Sequence, residues 1–279
     1  MTHSVAHPSP VSITAVVLAR NEAAMIANCL ATLKWCDEII VVDNGSSDDT
    51  VALARQQAGV RVVAAQSGSF AELRQLGAKR AKTDWLVYID ADERVTPALA
   101  DEIKQQLSDS AVQALQFKRD NIMYGRRMRH GNWQKDLVTR AFRRASLQGW
   151  SGIVHESPRY QGDTCLLAQP LIHLTHRSTS ENLRKTISWT ALEAELLYRS
   201  ELAPVGFLTM LRKGVIEFVR RAWWWGGWRD GSPGLVESLV QGINKILIYI
   251  QVWELQRRPT LPEVYDRVEQ DVARQWRQR

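Results

Sequence analysis

The feature that most constrains the fold is a regular alternation of short apolar segments with helical segments over residues 13–90. The apolar segments are rich in β-branched and aromatic residues, and the connections between segments are short. This alternation predicts a mostly parallel sheet with right-handed helical crossovers. The predicted strands are residues 13–19, 38–42, 60–65 and 85–90, and the predicted helices run to about Leu33, from 49 to 57 and from 70 to 81.

The fourth predicted strand, Trp85–Asp90, runs directly into Asp92 and Glu93. Its continuous apolar run is typical of a parallel strand that is buried on both faces. Carboxylates that follow such a strand lie at the sheet edge where open α/β folds bind ligands. The pair Asp90 and Asp92 can share one hard divalent cation, which also takes phosphate oxygens. A solvated acidic turn is the alternative, because Asp-x-Asp alone is a common pattern.

Polar residues also follow the first two predicted strands. Arg20, Asn21 and Glu22 follow the first strand, and Asp43 ends the second. Because the carboxyl ends of parallel strands meet at one edge, we expect these side chains and the Asp-x-Asp pair to line one crevice. No Gly-x-Gly-x-x-Gly follows the first strand and no Gly-Lys-Ser motif is present, which disfavours dinucleotide, P-loop and sugar-phosphate nucleotidyltransferase sites.

Three motifs in this region carry a family resemblance. They are Ala-Arg-Asn-Glu at 19–22, Val-Val-Asp-Asn-Gly-Ser-Ser-Asp-Asp-Thr at 41–50, and Ile-Asp-Ala-Asp-Glu at 89–93. Their order and spacing resemble the inverting family-two glycosyltransferases, which use nucleotide sugars. The resemblance implies an α/β domain of the GT-A (Rossmann-like) class with a mostly parallel sheet, followed here by a C-terminal helical region.

The resemblance also implies roles for residues around the nucleotide. Asp43 matches the residue that holds the nucleobase. Glu22 matches one that supports the nucleotide pocket, and Ala19 and Arg20 belong to the same nucleotide-sugar-binding motif. Arg74 matches a basic position close to the phosphates.

The implied metal site contains the Asp-x-Asp pair. Asp90 is expected to contact the ribose, and Asp92 is expected to bind Mg²⁺ or Mn²⁺ on the diphosphate. In GT-A enzymes a late histidine often completes the metal site, so His173 is a candidate ligand and His155 is the alternative. Such a cation neutralises the charge that develops on the leaving diphosphate.

A second set of motifs narrows the resemblance. Trp133-x-x-Asp136, Arg140-x-Phe142 and Val-His-Glu at 154–156 are similar to the subgroup that adds β-glucose to the inner-core heptose of bacterial lipopolysaccharide. The resemblance implies UDP-glucose as donor and a lipopolysaccharide-core or other lipid-linked acceptor. A transferase acting on polyprenyl phosphate or another glycan is the alternative.

An inverting transfer needs a carboxylate base within about 2.6–3.2 Å of the acceptor hydroxyl. Glu156 is the first candidate for this base, and Asp136 is the alternative.

Residues 118–144 carry nine Lys and Arg against two Asp, a local net charge of +7 in a chain of net charge +6. This excess indicates an anionic partner, either a phosphorylated acceptor or an anionic membrane surface. No nucleic-acid-binding motif is present, so we expect no nucleic-acid partner. A basic scaffold protein that binds nucleic acid or anionic lipid is the non-enzyme alternative. The candidate residues are Arg126, Arg127, Arg129 and Arg140.

The division predicted from the sequence is a catalytic domain at 11–177 and an amphipathic helical region at 178–279. Trp223, Trp224 and Trp225 lie beside basic residues, a composition typical of a membrane–water interface. The longest apolar runs are too short for a span of roughly 18 residues, the N-terminus lacks the apolar core of a signal peptide, and three cysteines without metal-type spacing favour a reducing compartment. We therefore expect a peripheral protein on the cytoplasmic face of a bacterial inner membrane, with the oligomeric state left open.

Overall fold

The computed structural model describes residues 11–65, 68–152 and 156–278. The chain forms two compact units. The first runs to Ile122 and resumes over Trp133–Thr175, and the second contains Met123–Asn132 and the chain from His176 onward. Whether these units correspond to the functional division expected at residue 177 stays a prediction.

The first unit is built on a mixed sheet with strand order β3-β2-β1-β4-β8-β6-β12-β5. Strands β9 and β10 form a separate antiparallel pair, and β11 pairs with β6 in parallel. In chain order the strands are β1 (Ile13–Ala19), β2 (Glu38–Asp43), β3 (Val60–Ala64), β4 (Trp85–Asp90), β5 (Glu93–Arg94), β6 (Val112–Met123), β7 (Arg126–Arg127), β8 (Leu137–Arg143), β9 (Leu147–Ser151), β10 (Ser157–Tyr160), β11 (Asp163–Leu166) and β12 (Leu171–Leu174).

The four strands predicted from the alternation are all present, and they are parallel to one another. Their register brings the polar strand ends together, because Ala19 is paired with Asp43 and Leu18 is paired with Asp90. β4 is buried from Trp85 to Ile89, as its apolar run predicts. Helices cover the sheet at α1 (Ile26–Ala31), α2 (Thr50–Arg55), α3 (Phe70–Arg80) and α4 (Pro97–Leu107).

Helix α3 lies unusually close to the sheet. A Cβ atom on Gly77 would lie 2.3 Å from Cγ1 of Val16, so only glycine permits this approach. Ser69 caps the helix by accepting from the amide of Glu72, whose carboxylate accepts from the amide of Ser69 in return. This tight docking places Arg74, one turn before Gly77, beside the end of β4.

Beyond β4 the sheet becomes mixed. β8 is antiparallel to both β4 and β6, whereas β12 is parallel to β6 and antiparallel to β5. In this register His173 on β12 is paired with Asn121 on β6 and with Glu93 on β5. A short strand late in the chain thus reaches the loop that carries the Asp-x-Asp pair.

The second unit is mainly helical. The helix Gly231–Gln256 packs against the helices Thr179–Arg199 and Phe207–Val219. Its buried Glu237 pairs with the partly buried His176, with 2.7 Å between Oε2 of Glu237 and Nδ1 of His176. Lys245 pairs with Glu193 at 2.8 Å. The helices are α5 (Thr179–Arg199), α6 (Phe207–Val219), α7 (Gly231–Gln256) and α8 (Leu261–Arg277).

Within the described residues, Gly227–Gln256 is long and apolar enough to cross a membrane, judged by length and composition alone. Glu237 and Lys245 interrupt its apolar sequence, so it contains no uninterrupted apolar run of that length. The central part of the segment, α7, packs against α5 and α6. Within the second unit α7 buries Glu237 and Ile248, whereas its Leu239 and Ile243 are 52% and 44% exposed.

Candidate active site

The loops after β1 and β2 are joined by side-chain hydrogen bonds. The amide of Asn21 donates to the Ser46 hydroxyl at 3.0 Å, and its side-chain oxygen accepts from the Ser47 amide at 2.8 Å. The amide of Glu22 donates to the Thr50 hydroxyl at 2.7 Å. Asn21 has a positive φ of 57°, a conformation that asparagine tolerates better than most residues. The motifs at 19–22 and 41–50 therefore form one connected rim of the site.

Asp43 lies at this rim with only 6% of its surface exposed. Its carboxylate accepts from the amides of Gly45 and Ser46 at 3.2 and 3.3 Å, which closes the turn after β2. These bonds fix the direction of the side chain. Contact between Asp43 and a nucleobase stays a prediction.

The end of β4 holds a cluster of buried ion pairs centred on Asp90. The Asp90 side chain is 26% exposed, whereas the arginines that surround it are between 2% and 14% exposed. Its carboxylate oxygens contact three guanidinium groups: Arg140 at 2.7 Å, Arg119 at 3.0 Å and Arg74 at 3.2 Å. The first aspartate of the Asp-x-Asp pair is therefore the centre of an arginine cluster.

This cluster controls the ionisation of Asp90. Burial by itself raises the pKa of the carboxyl, but the positive charges of Arg140, Arg74 and Arg119 outweigh that effect. The pKa of Asp90 is consequently held well below its usual range. Asp90 remains a carboxylate wherever the protein is folded at ordinary pH.

Glu93 completes the cluster from β5. It is fully buried, and its carboxylate accepts from the backbone amide of Asp90 at 2.8 Å and from Nε of Arg119 at 2.7 Å. Burial lowers the pKa of Arg119, but Glu93 and Asp90 outweigh it and the net shift is upward. Glu93 therefore anchors the loop that leads into Asp92.

The structure brings Asp92 and His173 together. Nε2 of His173 lies 3.6 Å from Oδ2 of Asp92, and the two side chains are 14% and 16% exposed. The backbone supports this approach, because the Leu174 amide donates to the Asp92 carbonyl at 2.8 Å.

The pair fits a shared divalent cation. Two ligand atoms at about 2.1 Å from one cation can lie up to about 4.2 Å apart. Among the described residues no group of three or more His, Cys, Asp and Glu side chains could hold a metal ion by itself. The donor set therefore suits Mg²⁺ or Mn²⁺ that takes further ligands from substrate phosphates and water. His155, the alternative ligand, lies outside the described residues.

The two candidate bases occupy different environments. Arg74 contacts Oε1 of Glu156 through Nε at 3.3 Å and Nη2 at 3.0 Å. Asp136 is 24% exposed, and its Oδ2 accepts from the side-chain amide of Asn121 at 3.1 Å. Glu156 thus forms a direct ion pair with the buried Arg74, whereas Asp136 accepts from a neutral amide and lies 4.0 Å from Nη1 of Arg119. The choice between them stays open.

Two of the predicted basic residues have a structural role inside the first unit. Arg74 is 2% exposed and stacks on Trp150 with 4.9 Å between its guanidinium carbon and the ring centroid. Arg140 differs from Arg126, Arg127 and Arg129 because it is 7% exposed and bound to Asp90. Its contact with an acceptor or a membrane stays a prediction.

The other predicted basic residues and the tryptophans belong to the second unit. Arg126, Arg127 and Arg129 are exposed there. Trp223 is 59% exposed and Trp224 is 86% exposed. Trp225 differs from its neighbours because the guanidinium groups of Arg220 and Arg221 lie 4.6 and 5.5 Å from its ring centroid.

Sequence reasoning missed three contributors to the site, namely Glu93, Arg119 and Asn121. Their side chains lie where β5, β6 and β12 meet, with Glu93 and Asn121 buried and Arg119 14% exposed. The signal available was the polar run Lys118–Asn121 inside an otherwise apolar strand, which is unusual unless the polar groups are paired.

The structure thus combines a half-sheet of four parallel strands, the carboxylates of Asp90 and Asp92 at its edge, and a His173 side chain that approaches Asp92. The model of glycosyl transferase family 2 matches residues 14–161, just over half of the chain. The chain therefore belongs to glycosyl transferase family 2, and it is a glycosyltransferase. The predicted fold class, a GT-A domain followed by a helical region, is confirmed.

Particular relatives extend the comparison. The chain is 26% identical to the lipopolysaccharide core biosynthesis glycosyltransferase LpsC of Rhizobium meliloti, over 91% of this chain and 96% of that protein. It is 39% identical to an uncharacterized glycosyltransferase of Rickettsia felis, over 33% of this chain and 32% of that protein. The chain is also similar to the structure of glucosyl-3-phosphoglycerate synthase of Mycobacterium tuberculosis in complex with Mn²⁺, UDP and phosphoglyceric acid. The two are 19% identical over 70% of this chain and 81% of that protein, with a TM-score of 0.45.

Proposed function

We propose that this glycosyltransferase moves a sugar, with glucose the first candidate, from a UDP-sugar to a lipopolysaccharide-core or other lipid-linked acceptor, with inversion and with Mg²⁺ or Mn²⁺. The observation that carries the proposal is the approach of Asp92 and His173 at the edge where the ends of β1, β2 and β4 meet. That edge is where open α/β sheets bind nucleotides.

The donor would be held by groups at this edge. The rim formed by Asn21, Glu22 and Asp43 offers acceptors to a nucleoside. Asp92 and His173 would hold the cation that joins the protein to the diphosphate. When bound, this cation supplies Lewis-acid stabilisation of the negative charge on the leaving diphosphate. Asp90 and its arginines keep the loop rigid, which keeps the ligand atoms oriented.

The acceptor hydroxyl must lose a proton as the new bond forms. Glu156 or Asp136 would take that proton, because an ionised carboxylate is an acceptor. Hydrogen bonds from Arg74 and from Asn121, respectively, hold the two carboxylates in fixed orientations.

The proposed class of acceptor is supported by similarity to one relative, LpsC. LpsC acts in lipopolysaccharide core biosynthesis by its name, and the similarity extends over nearly the whole of both proteins. A polyprenyl-phosphate or other glycan acceptor is the alternative. A non-catalytic scaffold is not retained, because the chain belongs to an enzyme family.

Thermal unfolding tests the donor and the metal together. We expect UDP with Mn²⁺ to raise the melting temperature by roughly 5 °C or more, because a ligand at about 100 times its Kd adds about 2.7 kcal/mol. EDTA should remove most of this increase. Differential scanning fluorimetry with UDP, ADP and GDP, each with and without Mn²⁺, makes the measurement. An equal response to all three nucleotides, or none to any, would refute a UDP-sugar donor.

We also propose that the second unit attaches the protein to the cytoplasmic face of a bacterial inner membrane. One side of α6 presents an exposed apolar stripe that continues into exposed tryptophans, and Arg212 and Arg220 are exposed beside it. Apolar residues, tryptophan and arginine in this arrangement suit an anionic bilayer surface. The stripe contains Leu208, Leu211, Val215, Val219, Trp223 and Trp224.

Vesicle binding tests the membrane proposal. We expect Leu208→Ser with Trp224→Ser to weaken binding to phosphatidylglycerol vesicles at least about ten-fold, because two side chains exposed to water lose their burial in lipid. Phe70→Ser, which removes a 56% exposed aromatic ring from the first unit, is the matched control and should bind as the wild type does. Equal binding by the double variant, measured by sedimentation, would exclude this surface.

A further inference from the structure

Asn121 lies between two groups that the proposed function uses for different purposes. Its side chain extends from β6 and is 1% exposed. Its Oδ1 lies 2.6 Å from Nδ1 of His173, and its Nδ2 donates to Oδ2 of Asp136 at 3.1 Å and toward the Trp133 carbonyl at 3.5 Å. One buried amide therefore joins a candidate metal ligand to a candidate base.

The chemistry of Asp136 fixes the direction of both bonds. An ionised carboxylate can only accept, so Asn121 must present its NH₂ group to Asp136 and its carbonyl oxygen to His173. That oxygen needs a donor, so the proton of a neutral His173 lies on Nδ1. The lone pair is then on Nε2, the atom that lies 3.6 Å from Oδ2 of Asp92.

The backbone holds this arrangement in place. Asn121 and His173 are register partners in the parallel pairing of β6 and β12. The next residue, Leu174, donates its amide to the carbonyl of Asp92. The imidazole ring of His173 therefore lies between Asn121 and Asp92. Main-chain hydrogen bonds fix the positions of both residues relative to β12.

We propose that Asn121 is a positioning residue that keeps His173 in the Nδ1–H tautomer, with Nε2 ready to bind a divalent cation, and that orients the Asp136 carboxylate at the same time. The inference rests on the proposed function, since it assumes that Asp92 and His173 hold a cation. Partners that orient a metal-binding histidine in this way typically contribute about 10- to 100-fold to metal affinity.

Two measurements on the full-length protein test the role of Asn121. Calorimetric titration of Mn²⁺ in the presence of UDP should give a Kd about 10- to 100-fold higher for Asn121→Ala than for the wild type. Nitrogen-15 NMR of histidine-labelled, metal-free protein should show the proton of His173 on Nδ1 in the wild type. In Asn121→Ala that preference should be lost.

Two further variants separate positioning from general damage. Thr14→Val removes a buried hydroxyl that also contacts two side chains, Glu38 at 2.9 Å and Thr83 at 2.7 Å, at the opposite end of β1. It should leave the Mn²⁺ affinity unchanged. Asn121→Asp keeps an acceptor for Nδ1–H but loses the donor to Asp136, so the Nδ1–H tautomer of His173 should persist in the metal-free protein.

The outcomes distinguish this inference from the function on which it rests. A wild-type protein that binds no Mn²⁺ with UDP would overturn both. A wild-type protein that binds Mn²⁺, together with an Asn121→Ala variant of equal affinity, would overturn only the role of Asn121. So would a wild-type His173 that carries its proton on Nε2 in the metal-free protein, a result that does not depend on any variant folding.

Discussion

Asp92→Ala is expected to lower the rate of sugar transfer by about 1,000-fold or more while the protein remains folded. The cation that Asp92 holds would supply several kcal/mol of stabilisation to the leaving diphosphate, and each 1.36 kcal/mol corresponds to a factor of ten in rate. UDP release from UDP-sugars in the presence of Mn²⁺ gives the rate. The melting temperature of the variant, measured in parallel, checks that it is folded.

Asp101→Ala is the matched control for this result. Asp101 is an exposed carboxylate on α4, so its removal changes the charge of the protein by the same amount. It should leave the rate unchanged. An Asp92→Ala variant that retains a tenth or more of the wild-type rate would remove Asp92 from the mechanism.

Asp90→Asn is expected to act mainly on stability, although the residue lies only two positions from Asp92. The substitution leaves the guanidinium groups of Arg74, Arg119 and Arg140 without their common counter-charge. Removing one partner of a buried ion pair typically costs about 3–5 kcal/mol. Urea denaturation should therefore show a loss of this order in the free energy of unfolding. Asp84→Asn, the same change at an exposed carboxylate bound to Ser12, should cost much less.

The free energy of unfolding that Asp90→Asn loses should become smaller as the pH falls. The pKa of Asp90 is depressed in the folded protein, so its contribution is fully present above the unfolded pKa of about 3.9 and is lost as pH falls through the folded pKa. The difference between wild type and Asp90→Asn should be constant from pH 7 to 5. Below about pH 4 it should decline, as measured by denaturation at each pH. A difference that grows as pH falls would contradict the depressed pKa.

The first half of the catalytic fold follows from the sequence for a simple reason. The four parallel strands there are largely apolar, and three of them, β1, β2 and β4, run into a polar motif. The register of Ala19 with Asp43 and of Leu18 with Asp90 then places those motifs at one edge. Local patterns and the rule for parallel strands are sufficient to predict this arrangement.

The remainder of the site depends on long-range pairing. Strand β12 enters the sheet between β5 and β6, and this insertion brings His173 to Asn121 and Asp92. No local pattern specifies such a pairing. The burial of Arg140 is a second example. Its guanidinium is buried because it pairs with the carboxylate of Asp90, which lies 50 residues earlier in the chain, and no local pattern around Arg140 predicts that contact.

Anomalous diffraction from a crystal grown with UDP and Mn²⁺ tests the central claim most directly. A cation bound by this protein and by a nucleoside diphosphate should give one strong peak within ligand distance, about 2.1–2.3 Å, of Oδ2 of Asp92 and Nε2 of His173. The nucleoside should lie beside Asp43. A bound UDP with Mn²⁺ at another position, or with no Mn²⁺ near Asp92, would contradict a metal-dependent transfer at this site.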